Sequence, residues 1–401
     1  MPIVVQKYGG SSLETLDKIT EIAKKIARKK NEDYDIVVVL SAMGKTTDYL
    51  LDMAYKISKN PSKRELAVLM STGEQVSIAL LSIALNNIGV SAVSYTGGQL
   101  NIITEGFHTA SRIANINKDI ILNEISKKNV VIVAGFQGIN ENNEITTLGR
   151  GGSDTTAVAL AAKLGCCCEI FTDVDGIYTV DPKLHPTAKK LLRISYEEML
   201  ELASSGAGVL NVRSIELAEK YKVPLLVALN AGYIEGTIIK ELDNTMEKSS
   251  ITGLAVDNQQ AMITLNGVPH NIKIISDIFG KIAKQDINID MISQTTPINN
   301  LVNISFTIPK VDLPITIQIM EKYKNEIFTF SYETFDNISK LSVVGIGMKS
   351  QPGVAAKMFK ILADNDISVH IITTSEIKIS YVINPDKQQI AIEAIAKVFN
   401  L

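Results

Sequence analysis

The chain has 401 residues, 46% of them apolar and 21% charged, with a formal net charge of −3. That length predicts about two to four domains of an ordinary soluble globular protein. The slightly acidic balance gives no electrostatic support for binding nucleic acid or an anionic membrane.

The chain starts in M-P-I-V-V-Q-K, without the long apolar region of a secretory signal, and shows no unbroken apolar run of about 18 residues. Residues 2–7 read as a short buried strand. Y-G-G-S-S follows, then a helix with apolar positions Ile19, Ile22, Ala23 and Ile26. Strand, glycine turn and helix together form a phosphate cradle. It is not a Walker loop, because the lysine precedes the glycines and no G-K-[ST] ending is present. Lys7 is either the group that reaches a transferring phosphoryl or a solvated lysine at a strand end. Residues 36–40 (I-V-V-V-L) are typical of a parallel strand buried on both faces, and they run into Ser41-Ala42-Met43-Gly44 with Thr46 and Thr47 beyond. Helical sequence occupies 48–57 and 64–86. Ser71-Thr72-Gly73-Glu74 sits inside the second helix, where Glu74 is either an exposed helix residue or the partner of a substrate ammonium.

Residues 92–95 and 130–134 read as further strands, the second closed by Gly135-Phe136-Gln137-Gly138. The stretch G-R-G-G-S-D-T-T, residues 149–156, packs three glycines, one fixed cation, one carboxylate and three hydroxyls ahead of an apolar helix. Glycines admit backbone N–H groups close to an anion, and the helix would aim its positive end at the same anion. Arg150 offers a planar fork for a carboxylate or phosphate. The plainer alternative is a loop with Ser153 or Asp154 as N-cap.

The three cysteines, Cys166, Cys167 and Cys168, are consecutive. They cannot build a disulfide framework, which fits a reducing cytoplasm and small side chains entering a buried strand. A strand over 169–174 places Thr172 and Asp173 at its end, where open α/β sheets bind ligands. Asp173 and Asp175 would touch a metal or nucleotide, Tyr178 a base and Lys183 a phosphate; a turn built from Asp-Gly and Asp-Pro is the alternative. Four scattered histidines (His108, His185, His270, His370) lack ligand spacing, so no metal site made by the protein is expected. Residues 194–203 and 214–220 read as helical, with strands at 224–229 and 236–239. The polar stretch 243–250 reads as a linker. The alternation before it predicts a doubly wound α/β domain over 1–242.

The rest repeats itself. Phe279, Ala283, Asp286 and Ile287 recur 80 residues later as Phe359, Ala363, Asp366 and Ile367. The first copy, 261–337, reads strand 261–268, helix 272–285, strands 289–295 and 301–309, helix 315–327 and a last strand near 329–334. The second reads strand 341–347, helix 353–365, strands 369–374 and 377–383 and helix 388–399, then stops without its final strand. A four-stranded βαββαβ sheet would be left with an open edge. The spare strand at 251–256 completes it if the second unit is 251–257 plus 338–401, with the first inserted within it.

K-Y-G-G-S-S, S-T-G-E, T-L-G-R-G-G-S-D-T-T-A and T-D-V-D-G-I-Y-T-V-D-P-K, in this order, resemble the aspartate kinases of the amino-acid kinase family over the whole chain, paired C-terminal ACT-type units included. The resemblance implies transfer of a phosphoryl group from Mg-ATP to the β-carboxylate of L-aspartate, the first step towards lysine, threonine and methionine. By resemblance Lys7, Tyr8, Gly9 and Gly10 hold phosphates. Thr172, Asp173, Tyr178, Lys183, Gly208 and Val209 line the nucleotide side. Ser41, Thr47, Glu74, Arg150, Gly151, Gly152 and Ser153 form the aspartate site, with Glu74 on the ammonium and Arg150 on a carboxylate, and Asp154 orients Lys7 or the Mg²⁺ shell. Effector positions fall at Asn288, Ile289, Asp290, Gln294, Ser350, Pro352, Gly353, Ser375 and Glu376, with lysine, threonine or both as effectors and a homo-oligomer joined through the ACT units. Two departures stand out. Gly208 replaces the lysine of the family's G-[AS]-K-[VI]-L, and Val268-Pro269-His270-Asn271 replaces the first unit's acidic D-x-P-G loop. Gly208 leaves open a non-catalytic amino-acid sensor as a rival reading, and a glutamate-type acyl-phosphate kinase is a third.

Overall fold

The computed structural model describes residues 1–230, 235–242 and 250–401. All of the linker expected at 243–250 except Ser250 therefore lies outside the described residues. The chain divides into two compact units: residues 1–177, 190–203 and 208–244, and residues 178–189, 204–207 and 245–401.

The first unit is built on an eight-stranded sheet. Its order is Arg193–Ile194, Thr237–Ile239, Leu225–Leu229, Cys167–Thr172, Ile3–Tyr8, Asp35–Leu40, Val130–Ala134 and Ala92–Tyr95. The pairs are parallel, except that Leu225–Leu229 runs antiparallel to Thr237–Ile239. The run from Ile36 to Leu40 is fully buried, as a strand covered on both faces must be. Each such Val, Ile or Leu stabilises the fold by roughly 1.5–3 kcal/mol. Helix Leu16–Asn31 is capped by Thr15, whose hydroxyl accepts from Lys18 N–H. It buries the expected face of Ile19, Ile22, Ala23 and Ile26. Helix Lys63–Asn87 is the single helix among the described residues long and apolar enough, by length and mean composition, to cross a membrane, although Ser71-Thr72-Gly73-Glu74 interrupts its apolar run. Half of its apolar window is buried, and it carries Glu74 inside the core.

Two features of this unit go beyond the sequence reading. A small sheet forms from Arg112–Ile116, Ile102–Glu105, Gln137–Ile139 and Ile145–Thr147. A short helix covers Asp119–Ser126. The strands are three to five residues long and partly exposed, so they lack a readable alternation. The cysteine strand starts and ends earlier than expected, at Cys167–Thr172.

In the second unit one four-stranded sheet has the order Ile292–Gln294, Leu301–Pro309, Gln260–Pro269, Ser331–Phe335, with helices Ile272–Ala283 and Leu313–Glu326. The other has the order Gly253–Asp257, Ser339–Val344, Lys378–Ile383, Val369–Thr374, with helices Val354–Asp364 and Gln388–Phe399. Gly253–Asp257 pairs antiparallel with Ser339–Val344, so the spare strand fills the open edge and the first βαββαβ module interrupts the second. The repeat reaches the backbone: Asp286 and Asp366 both turn out of their helices with φ of 57° and 51°. Residues 178–189 join this unit. Val180 is buried among Leu254, Tyr381 and Ile395, and Leu254 N–H donates to Thr179 O at 2.7 Å.

Candidate active site

Strand register assembles the site. Lys7 lies beside Val39 and Ile170, and Leu40 beside Ala134. Gly9, Ser41, Gly135 and Thr172 therefore leave the sheet along its carboxyl edge, where such sheets bind ligands. Gly9 N–H donates to Phe171 O at 3.3 Å and Ser41 N–H to Tyr8 O at 3.2 Å, which ties neighbouring loops together. A Cβ on Gly135 would lie 2.9 Å from Ser153 Oγ, so the glycine admits the N-terminus of helix Gly152–Leu164 over the strand ends. That helix is capped by Gly151, left-handed at φ 67°, and not by Ser153 or Asp154, which are already inside it. Its first-turn N–H groups and its dipole face the same edge.

Lys7 is 9% exposed, so it is not a solvated strand-end lysine. Its Nζ stands 2.6 Å from Asp154 Oδ1 in the first turn of the glycine-loop helix. A Cβ on Gly9 would come within 3.4 Å of the same ammonium. The cation is thus held where the chain leaves Gly9 and Gly10, and a buried pair of this kind fixes geometry more than it stabilises.

Glu74 is 3% exposed, which removes its reading as a surface helix residue. Gly73 brings it there: a Cβ at that position would lie 2.8 Å from Ala42 Cβ, so only glycine lets the helix press on the loop at 41–44. Glu74 Oε1 accepts from Ala42 N–H at 3.2 Å, while the buried Oε2 has no partner among the described residues. Burial pushes the Glu74 carboxyl up from 4.5 to about 8, against the pull of the Ala42 and Glu74 backbone N–H groups. A buried acid with one oxygen unsatisfied has room for one more hydrogen-bond donor.

Arg150 is exposed, and among the described residues its guanidinium takes no hydrogen bond or ion pair. Thr47 is half-buried in helix Thr46–Ile57. Thr172 donates to Asp173 Oδ1 at 3.0 Å, and Asp175 pairs with Lys190 at 3.1 Å. Gly208 is exposed, with no atom of the described residues within 4 Å of the place a Cβ would take, and Val209 beside it is half-buried. Tyr178 and Lys183 fall in the second unit by contact, so the first unit does not itself contain them. Among the described residues no three His, Cys, Asp or Glu side chains gather as a metal cage. Mg²⁺ commonly keeps its waters and is held through one or two carboxylates plus substrate phosphates. Asp154 in the first helical turn and Asp173 at the end of strand Cys167–Thr172 are carboxylates of that kind.

Sequence reading missed Asn211 and Arg213, which begin helix Val212–Tyr221 and contact the glycine loop. Their side chains bond backbone carbonyls, and no sequence pattern announces such a contact.

The effector positions expected by resemblance lie in the second unit. Asp290 is already engaged: its Oδ2 takes the ammonium of Lys340 at 2.5 Å, a lysine 1% exposed in the other module. Glu376 pairs with Lys349 at 3.2 Å, Ser350 donates to Gly347 O at 3.3 Å, and Ser375 N–H donates to Lys378 O at 2.8 Å. Gln294 ends the exposed strand Ile292–Gln294, Asn288 is exposed, Ile289 is half-buried, and Pro352 and Gly353 are exposed ahead of helix Val354–Asp364.

The family model described as "Amino acid kinase family" matches residues 2–228, and one described as "ACT domain" matches 341–399. An aspartokinase of Bacillus sp. (strain MGA3) is 46% identical over 100% of this chain and 98% of its own length. Aspartokinase 2 of Bacillus subtilis (strain 168) is 44% identical with the same coverage. The solved aspartate kinase from Synechocystis is 39% identical with a TM-score of 0.56, covering 100% of this chain and 69% of that one. E. coli aspartokinase III, solved with aspartate and ADP, shares the fold at 22% identity and a TM-score of 0.81, over 98% and 99% of the two chains.

Proposed function

We propose residue roles and a control scheme for this chain, which belongs to the amino acid kinase family and is an aspartate kinase. The β-carboxylate oxygen of L-aspartate attacks the γ-phosphorus of ATP, the bond from that phosphorus to the ADP oxygen breaks, and 4-phospho-L-aspartate forms. The attacking group is already ionised, so the reaction needs no strong general base. What opposes it is the approach of two anions. Lys7, the N–H group of Gly10, and the start of helix Gly152–Leu164 offset that repulsion. Mg²⁺ bound with the nucleotide would neutralise the phosphate oxygens. Asp154 holds Lys7 in place.

Glu74 takes the substrate ammonium on its unpartnered Oε2, and Arg150 takes the α-carboxylate. Ser41, Thr47, Gly151, Gly152 and Ser153 close the aspartate site, while Tyr8, Thr172, Asp173, Gly208 and Val209 serve the nucleotide. The observation that carries this reading is the orphaned Glu74 oxygen in the same strand-end loop system as the buried Lys7–Asp154 pair. Truncated substrates test it. Succinate, which lacks the ammonium, and 3-aminopropanoate, which lacks the α-carboxylate, should each lose at least about tenfold in kcat/KM, the size of one lost charge-assisted bond. Succinate turned over as well as aspartate would remove Glu74 from substrate binding.

The two C-terminal modules act as feedback sensors for lysine, threonine or both, end products of the path that 4-phospho-aspartate opens, and the chain works as an oligomer paired through their sheet edges. An effector shifts activity only by binding the inactive arrangement better than the active one. Calorimetric titration of lysine and threonine into the intact protein, beside the activity assay, decides this. Absence of binding and inhibition by either, alone or together, at millimolar concentration would end the regulatory scheme and leave the catalytic one standing.

A further inference from the structure

Helix Val212–Tyr221 starts against the glycine loop. Asn211, its N-cap, accepts from Arg213 N–H at 3.0 Å through Oδ1 and donates through Nδ2 to Arg150 O at 3.0 Å. A Cβ on Gly151 would lie 2.3 Å from Asn211 Cβ, so the loop and the cap are in direct contact. Arg213 reaches further. One guanidinium nitrogen donates to Leu148 O at 2.6 Å and the other to Ser111 O at 3.1 Å. Leu148 enters the glycine loop, and Ser111 ends the turn of the hairpin over 102–116, whose own Ser111 N–H donates to Thr147 O at 2.9 Å.

Among the described residues no carboxylate forms an ion pair with Arg213. Burial and the nearby Arg112 pull its basicity down. A partly buried guanidinium whose donors go to backbone carbonyls of two separate segments is an expensive way to hold a surface loop. It suits a loop whose conformation matters. Three carbonyls at or beside the loop, those of Ser111, Leu148 and Arg150, are fixed by two residues of one helix start. Arg150 lies between two glycines, Gly149 and Gly151, both with positive φ (78° and 67°). Left to itself such a segment samples many orientations.

We infer that Asn211 and Arg213 are positioning residues for catalysis: they clamp the glycine loop so that the free guanidinium of Arg150 is presented to the substrate carboxylate. The inference rests on the assignment of Arg150 to that carboxylate. Neither residue touches substrate; both act through Arg150.

The test is steady-state kinetics of Asn211→Asp, Arg213→Met and Arg150→Ala, alone and combined, with thermal melts. Asn211→Ser, which also caps the helix and adds no charge, is measured beside Asn211→Asp as a control; Asn211→Asp keeps the capping acceptor but replaces the donor to Arg150 O with a negative charge. It should raise the aspartate KM by about tenfold, the cost of misplacing one charge-assisted bond, with the ATP KM within about twofold and an unchanged melt. Arg213→Met should do the same or more, and Arg213→Lys should recover part of the loss. In the Arg150→Ala background either substitution should change the aspartate KM by less than about twofold, since residues acting through one group are not additive. Equal rises in both KM values, an unchanged aspartate KM in a folded Asn211→Asp, or full effects that persist without Arg150 would overturn the clamp. If Arg150→Ala itself leaves the aspartate KM unchanged, the assignment of Arg150 fails and the clamp with it. That outcome is distinguishable, because the single clamp variants are read separately.

Discussion

Replacing Glu74 by Gln separates the charge of this side chain from its shape. In the ligand-free protein burial raises the carboxyl from 4.5 to about 8, and among the described residues its Oε2 has no partner. Keeping such a group ionised costs on the order of 5 kcal/mol, an upper bound for the folded protein. At neutral pH the site is therefore mostly protonated, and an ammonium substrate binds with release of that proton. With a value of about 8, the fraction ionised at pH 7 is roughly one in eleven, so the aspartate KM of the natural enzyme should fall about eightfold between pH 7 and 8.5. Glu74→Gln should show no such fall. Its aspartate KM should exceed that of the natural enzyme by roughly 10- to 150-fold at pH 8.5, for a charge-assisted bond of about 1.5–3 kcal/mol. The gap should be about eightfold smaller at pH 7, where the natural carboxyl is itself mostly neutral. The ATP KM should move by less than about twofold in both. Stability carries the same signature. Between 4.5 and about 8 the folded protein holds a proton that the unfolded chain has released, so this group's contribution to stability falls as pH rises through that window. Melting temperatures at pH 6 and pH 9 should thus diverge more for the natural protein than for Glu74→Gln. An aspartate KM independent of pH, or equal shifts in both KM values, would refute the reasoning.

Lys7→Ala should lower kcat by more than about 10²-fold in a folded protein, because the cation facing the transferring group is lost; turnover within tenfold would take Lys7 out of the mechanism. Gly208 is exposed with open space where a Cβ would stand, so Gly208→Lys should fold normally and lower the ATP KM with the aspartate KM nearly unchanged. An unaltered ATP KM would mean that another cation already serves the nucleotide. Asp290→Ala leaves the Lys340 ammonium buried without its carboxylate, whereas Lys340→Met removes the buried charge and leaves a partly exposed aspartate. The first should cost about 3–5 kcal/mol in denaturant unfolding and the second clearly less; the reverse order would show that the lysine, not the carboxylate, holds the pair.

The parts of this fold that sequence discloses are those where one side chain type repeats for a reason. The apolar run from Ile36 to Leu40 is typical of a buried central strand and is one, and the recurrence of Phe279, Ala283, Asp286 and Ile287 at a fixed offset exposed the tandem modules. The interruption of one module by the other followed from counting strands, and Gly253–Asp257 fills the vacant edge. Within the site, the order strand, glycine turn and helix reads as a phosphate cradle, while the pattern alone left Lys7 open between a phosphoryl contact and a solvated strand end, and only its burial removes the second. What stayed hidden was decided by tertiary contact. The short strands Ile102–Glu105 and Ile145–Thr147 have no alternation to read. Whether Glu74 faced solvent depended on how closely Gly73 lets two elements approach, and that is a distance, not a pattern. Asn211 and Arg213 act on backbone carbonyls, which every residue has, so nothing in the partner sequence marks the contact. The pairing of Asp290 with Lys340 joins residues 50 apart on different modules and likewise leaves no local trace.

The central claim is that this site phosphorylates the β-carboxylate of aspartate through Lys7, Glu74 and Arg150. Its most direct test is trapping of the acyl phosphate with hydroxylamine in a reaction of the intact protein with Mg-ATP, offered aspartate or glutamate in parallel. The account predicts aspartyl hydroxamate in a one-to-one ratio with ADP, none above background from glutamate, and loss of the aspartate signal in Lys7→Ala. ADP released without hydroxamate, hydroxamate from glutamate as readily as from aspartate, or no product at all from a folded protein would contradict it.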